Sequence, residues 1–348
     1  MRAYVPVAAL AAGGLIVACT VNSTTNNNGT NPTGDDAGNT TAPDAGLPDG
    51  AVAVEDAAVD AEDAAAPEAF VRFAHWSPDA PVVDICFNPA GGAWAAQTPA
   101  LGQVVAAPDG GVTSDAGDAG DDGGSVVAGV TFGQVTSYLV IAAGTYGVRL
   151  VAPGAADCGT GIVDLASVTL NANTYTTVAA LGEATPVGTD QALKLASFAD
   201  DVTAPASQIA LRFINASPNA SLTLAQADFG EGSLVGNGGP FSALFTGVAF
   251  GATGTSAGTD AGTVDANGYL ATLPLAGATL SAHATSGAQD TTTALDDVTI
   301  SGGAATIALI DGVSNGSAAS AAKLLLCADA DDSASTSLFA QCSIVSTE

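Results

Sequence analysis

Val71-Arg72-Phe73-Ala74-His75-Trp76-Ser77-Pro78-Asp79-Ala80 returns 140 residues later as Leu211-Arg212-Phe213-Ile214-Asn215-Ala216-Ser217-Pro218-Asn219-Ala220. Each copy is an alternating apolar run that stops at a Ser-Pro turn, which is how a half-buried β-strand and its exit are written in sequence. A chain that opens twice on the same strand and turn is two copies of one unit, because self-similarity at a fixed offset marks repeated modules.

The rest of the repeat follows in order. Phe132-Gly133 returns as Phe250-Gly251, Ala143-Gly144 as Ala276-Gly277, and Val168-Thr169-Leu170 as Val298-Thr299-Ile300. Lys194-Leu195 with Ala199-Asp200 returns as Lys323-Leu324 with Ala328-Asp329, so both copies close on the same strand. The units run over 69–203 and 208–330, with a C-terminal tail at 331–348. The short link Ala204–Ser207 implies that they sit close together. Val, Thr, Leu and Ile fill the runs, Gly, Asn, Asp and Pro punctuate them, and no helical period stands out. The expected fold is all-β, two tandem β-sandwich domains.

The opening phrase RFAHWSPDAPVVDI, the middle phrase SYLVIAAGTYGVRL and the later strands resemble the domain of unknown function 4397 (DUF4397). That family typically begins on a VRxxHxSPDAP-x-VD phrase. The second unit keeps Arg212, Phe213, Ser217 and Pro218 but has Asn215, Asn219 and Ser221 where the first has His75, Asp79 and Pro81. The resemblance implies immunoglobulin-like sandwiches on the outside of a membrane, with the second copy divergent, and brings no known activity.

Residues 1–18 read MRAYVPVAALAAGGLIVA, one Arg before a short Ala/Gly/Val/Leu run. The run is too short for a spanning helix and fits a secretory signal. Its end, Leu15-Ile16-Val17-Ala18-Cys19, resembles a bacterial lipobox, in which Cys19 becomes the first residue and receives a diacylglyceryl group. Each buried lipid CH₂ contributes about 0.8 kcal/mol, so two or three acyl chains anchor a protein durably. Cys19 is therefore the expected lipidation site and the membrane the expected partner. Thr20 and Val21 in place of an Asp favour the outer membrane, on its periplasmic or surface face.

The chain holds 6 Lys+Arg against 35 Asp+Glu, and loss of Arg2 with the signal takes the net charge from −29 to −30. Phosphate backbones need a Lys/Arg face that is missing, which excludes nucleic acid as a partner. Ten acids lie between Asp35 and Glu68 with no base among them. Residues 19–68, without an aromatic residue, read as a disordered acidic tether with an r.m.s. reach of roughly 40 Å. Residues 108–125 (PDGGVTSDAGDAGDDGGS) read as a second disordered insert, inside the first domain. Asp115, Asp118 and Asp121 recur every third residue, not every second as a calcium loop of the EF-hand kind requires.

Four more cysteines remain: Cys86, Cys158, Cys327 and Cys342. An even number in an exported chain points to disulfides, with three connectivities open. The second unit lacks counterparts of both Cys86 and Cys158, which favours that pair and leaves Cys327 with Cys342 in the tail. No C-x-x-C or neighbouring His suggests a metal, and no cofactor is expected.

Chemistry is thinly represented. The two histidines, His75 and His283, lie in different units. His75, Trp76 and Asp79 form the one candidate ligand patch, against the plainer reading of His75 as a turn residue that satisfies local backbone groups. Gly254-Thr255-Ser256-Ala257-Gly258 matches G-x-S-x-G in letters but lacks the strand, helix and α/β sheet that a nucleophile elbow needs. Asp84, Asp164, Asp296 and Asp297 read as solvated strand ends. The expected protein is a monomeric, non-enzymatic, lipid-anchored envelope protein. Its modules would bind or adhere to an envelope protein or polysaccharide, with a structural spacer as the second reading and an envelope hydrolase as the third.

Overall fold

In the first unit, β1 (Glu68–His75) is the strand written by the opening phrase, followed by β2 (Asp84–Pro89), β3 (Leu139–Ala142), β4 (Gly144–Val151), β5 (Val163–Leu170), β6 (Tyr175–Leu181) and β7 (Lys194–Asp200). They form two sheets, β3-β1-β6-β7 and β2-β4-β5. The pairings are antiparallel except for β1 with β6, which runs parallel. Ala69, Val71 and Phe73 point from β1 into the space between the sheets, where they meet Ile85, Val148, Leu150, Leu170 and Val178. The architecture is an immunoglobulin-like sandwich, and the computed structural model describes residues 66–101, 129–188, 190–218, 226–232, 240–255, 262–284, 293–310, 322–335, 337–340 and 342–345. The signal, Cys19, nearly all of the expected tether and the acidic insert at 108–125 lie outside the described residues.

The second unit repeats the plan with β8 (Ile209–Asn215), β9 (Gln226–Glu231), β10 (Ser242–Ala249), β11 (Tyr269–Thr272), β12 (Leu275–Ala284), β13 (Thr293–Ile300), β14 (Gly303–Ile310), β15 (Lys323–Asp329) and β16 (Cys342–Val345). Its sheets are β11-β8-β14-β15-β16 and β10-β9-β12-β13. Strand for strand, β8, β11, β14 and β15 answer β1, β3, β6 and β7, including the parallel pair β8 with β14. Phe213 stacks on Phe229 at its centre, with Phe245 tilted against both and Leu211, Leu280 and Ile307 around them.

Four strands depart from the alternation expected of them. β8 is buried at every residue, and β1, β6 and β14 at nearly every one. The cause is a third core, formed where the outer face of β3-β1-β6-β7 meets that of β11-β8-β14-β15-β16. Ala74, Trp76, Ala179, Leu181 and Phe198 pack there against Ile214, Ala216, Ala308, Ile310 and Leu325. A strand covered on both faces is apolar along its whole length, and the alanines on both sheets bring them close.

The tail continues this seam. After β15 the chain crosses to the first unit, where Ser137 N donates to Leu338 O at 2.9 Å and Ala340 N to Val135 O at 2.9 Å. Tyr138 N donates to the Asp332 carboxylate at 2.8 Å. The tail then returns as β16 to pair with β15. Among the described residues no helix is long and apolar enough to cross a membrane.

Candidate functional site

The seam carries two arginines at its centre. Arg72 sits on β1 and Arg212 on β8, at the same place in the repeated phrase, and both are buried. Arg72 donates from Nε to Thr177 Oγ1 at 2.8 Å and from Nη1 to the Ala328 carbonyl at 3.4 Å, and its Nη2 reaches the Asp329 carboxylate. Arg212 repeats the set, from Nε to Thr306 Oγ1 at 3.0 Å, Nη1 to the Ala199 carbonyl at 2.6 Å, and Nη2 to Asp200 Oδ1 at 2.5 Å. Each arginine therefore pairs with the aspartate of the other unit.

Each aspartate in turn is held within its own unit. Asp200 accepts from the hydroxyls of Thr177 at 2.6 Å and Tyr138 at 2.9 Å. Asp329 accepts from Thr306 at 2.5 Å and Tyr269 at 2.7 Å. The guanidiniums lie over the tyrosine rings, Arg72 at 4.9 Å from Tyr138 and Arg212 at 4.5 Å from Tyr269. Burial alone would raise the pKa of Asp200, but Arg212 and Arg72 outweigh it and hold the carboxyl below its usual range. Burial likewise works against charge on Arg212, yet the neighbouring Tyr269 and the carboxylates of Asp200 and Asp329 hold it protonated. Burial pushes the Tyr138 and Tyr269 hydroxyls up. Two positive and two negative charges thus compensate one another in a dry seam, an arrangement suited to joining surfaces. In sequence these four residues stand out only as markers of the repeat. Their signal was arginine on a core strand, twice, in a chain with so few bases.

Of the patch expected at His75, Trp76 and Asp79, only Asp79 is partly exposed. His75 is fully buried, its Nε2 within 3.0 Å of the Pro81 carbonyl, and burial lowers its pKa. Trp76 belongs to the seam, with its ring centroid 6.4 Å from that of Phe198. Asp79 accepts from the main-chain N–H groups of Ala184 at 2.6 Å and Thr185 at 2.9 Å. Beside it Ser77 Oγ donates to the Gly182 carbonyl at 2.5 Å. Gly182 has φ +93°, and a Cβ there would strike the Ala192 carbonyl, so glycine is required. The Ser-Pro-Asp turn thus fastens β1 to the β6–β7 connection, and Asn215 does related work in the second unit by donating to Val248 O at 3.0 Å. The phrase that looked like a ligand patch is a staple.

Cys86 is joined to Cys158, and Cys327 to Cys342, with Cα–Cα distances of 6.1 and 4.2 Å. Arg149 donates to Asp164 at 2.7 Å and to the Cys158 carbonyl at 3.0 Å, and lies 4.2 Å from the Trp94 ring. Asp84 is not a solvated strand end. It is buried, accepts from Ile85 N at 2.6 Å and Leu101 N at 3.1 Å, and burial raises its pKa. His283 lies 2.8 Å from Ser281 Oγ and edge-on to Phe241. Ser256 lies outside the described residues, and among those described no three His, Cys, Asp or Glu residues are grouped to hold a metal.

At one end the seam opens into a cleft of about 480 Å³. Asn171 and Asn173 line it from the β5–β6 turn, Tyr175 from the start of β6, Asp201 and Thr203 from the exit of β7, and Asn267 from the second unit. Asn267 donates to Asp201 Oδ1 at 2.9 Å. Burial and the neighbouring Asp265 raise the Asp201 pKa.

A family model described as Domain of unknown function (DUF4397) matches residues 104–222. The DUF4397 match takes in β3 to β8 and the phrase Arg212–Pro218, and ends before the rest of the second sandwich. It covers less than half of the chain. No curated protein matches the chain.

Proposed function

We propose that this chain is an exported, lipid-anchored envelope protein whose two sandwiches act together as a non-enzymatic binding or adhesion module. The observation that carries this reading is the Arg–Asp exchange across the seam. It joins the two sandwiches into one unit, and the ends of such sandwiches are their usual binding surfaces. Two disulfides suit an oxidising compartment outside the cytoplasm, in agreement with an export signal ending at Cys19. We further read the second sandwich as a divergent DUF4397 copy, on the strength of its matching strand order and buried Arg212. The lipid would hold the module at the outer membrane, and the acidic tether would set it at a distance.

The experiment has two arms. Mass analysis of the mature N-terminus should find a diacylglyceryl-modified Cys19, and Cys19→Ser should release the protein from membranes. An unmodified, soluble wild-type protein would refute the anchor. Crosslinking on intact cells should then capture an envelope partner through the sandwiches. Abundant protein that captures none would replace the binding reading with that of a structural spacer.

A further inference from the structure

We propose that the cleft at the open end of the seam is a binding site for a neutral saccharide. This inference rests on the reading of the sandwiches as a binding module and names the ligand class for it. A volume of about 480 Å³ lies within the range of about 300–1,000 Å³ common to small-ligand pockets.

The lining selects the chemistry. Asn171, Asn173 and Asn267 each offer two N–H donors and a carbonyl acceptor, and Thr203 and Thr174 offer hydroxyls that both donate and accept. A sugar ring presents a matching set, hydroxyls that donate and accept around an uncharged frame. Asp201 adds a carboxylate acceptor, partly occupied by the Asn267 amide. No Lys or Arg lines the cleft, and the two arginines in the seam are committed to Asp329 and Asp200, so phosphate or another anion would find no counter-charge. A divalent cation is disfavoured too, since the described residues bring no three acids together here.

One lining residue, Tyr175, is aromatic and fixed. Tyr175 stacks on Phe70 with ring centroids 4.5 Å apart and meets Tyr138 edge-on at 5.0 Å. Its hydroxyl is bonded to Asp331, and its pKa is pushed up to about 12, chiefly by burial. Of these three rings Tyr175 alone lines the cleft, where it adds apolar surface beside the amides. The walls come from both units, so the exchange that locks the sandwiches also preorganises the cleft, which lowers the entropic cost of binding.

The test uses the full mature chain with disulfides intact, titrated calorimetrically with maltotriose, cellotriose, mannotriose and lactose, and separately with inorganic phosphate and calcium chloride. At least one saccharide should bind, and neither salt should compete with it. The double variant Asn171→Ala/Thr203→Ala should weaken that binding at least about tenfold. Both residues are exposed, so its thermal unfolding should match the wild type. Binding unchanged in the double variant, or no saccharide bound at all, overturns the cleft proposal. If crosslinking on cells still captures a partner with wild type and variant alike, the binding module stands and only the cleft falls. If it captures none, both fall.

Discussion

Arg212 of the second sandwich donates to Asp200 of the first across 2.5 Å, in a seam where neither side chain touches water. The pair is mirrored by Arg72 and Asp329, so the two halves hold each other by the same contact used twice. Removing one partner from a buried pair leaves an uncompensated charge, which costs about 3–5 kcal/mol. Asp200→Ala should lose that much in chemical denaturation. Arg212→Leu combined with it should cost far less than the sum of the two single changes, because the orphaned charge is gone. Strict additivity would mean that the pair does not interact.

Acidification should attack the same place. Asp200 is held below the usual carboxylate range, so its contribution is fully present above the unfolded value of about 3.9 and is lost as pH falls through the lower folded value. The unfolding midpoint should hold between about pH 7 and 5 and drop below about pH 4. Asp200→Asn should lower stability at neutral pH and flatten the acid limb. Asp84 has the opposite sign. Its pKa is raised by burial, so its contribution is full below about 3.9 and is lost as pH rises through the folded value. Asp84→Asn keeps an oxygen for Ile85 N and Leu101 N and should remove that loss at neutral pH.

The disulfides should differ in worth. Cys86–Cys158 closes 72 residues and Cys327–Cys342 closes 15. Loop-closure entropy then assigns about 4 and about 3 kcal/mol. Paired Cys→Ser variants, compared in urea, should lose stability in that order.

The tail should act as a strap on the first sandwich. A chain ending at Ala330 would lose the acceptors of Ser137 N and Tyr138 N. Hydrogen exchange at those two amides should rise by orders of magnitude while Val148 and Leu150 in the core of the first sandwich stay protected. Unchanged exchange would mean that the tail adds nothing to the fold.

Much of this was legible beforehand, and the misses share a cause. Strand positions, the repeat and the favoured cysteine pairing follow from local pattern and from comparing the two copies. A hydrophobic period reports that one face is buried but is silent on what covers the other, so it does not say what Arg72, Ala74 and Trp76 meet. They meet the sheet of the second unit. The burial of His75 beneath its turn is hidden from sequence for the same reason, since only tertiary packing covers the ring. The path of the tail was unreadable because its contacts with Ser137 and Tyr138 lie nearly two hundred residues away in sequence and run through main-chain atoms and one carboxylate. The cleft draws its walls from both units, which no single stretch of sequence displays.

Two units joined only by a linker could vary independently at every position. The exchange withdraws that freedom at four of them, since any change at Asp200 is felt by Arg212, and any change at Asp329 by Arg72. A substitution in one unit has to be answered in the other, as if the two were a lock cut to fit itself. Positions outside the exchange carry no such obligation: His75 stands where the other unit has Asn215, and the Cys86–Cys158 bridge has no twin. The seam therefore governs which differences between the halves the protein can tolerate.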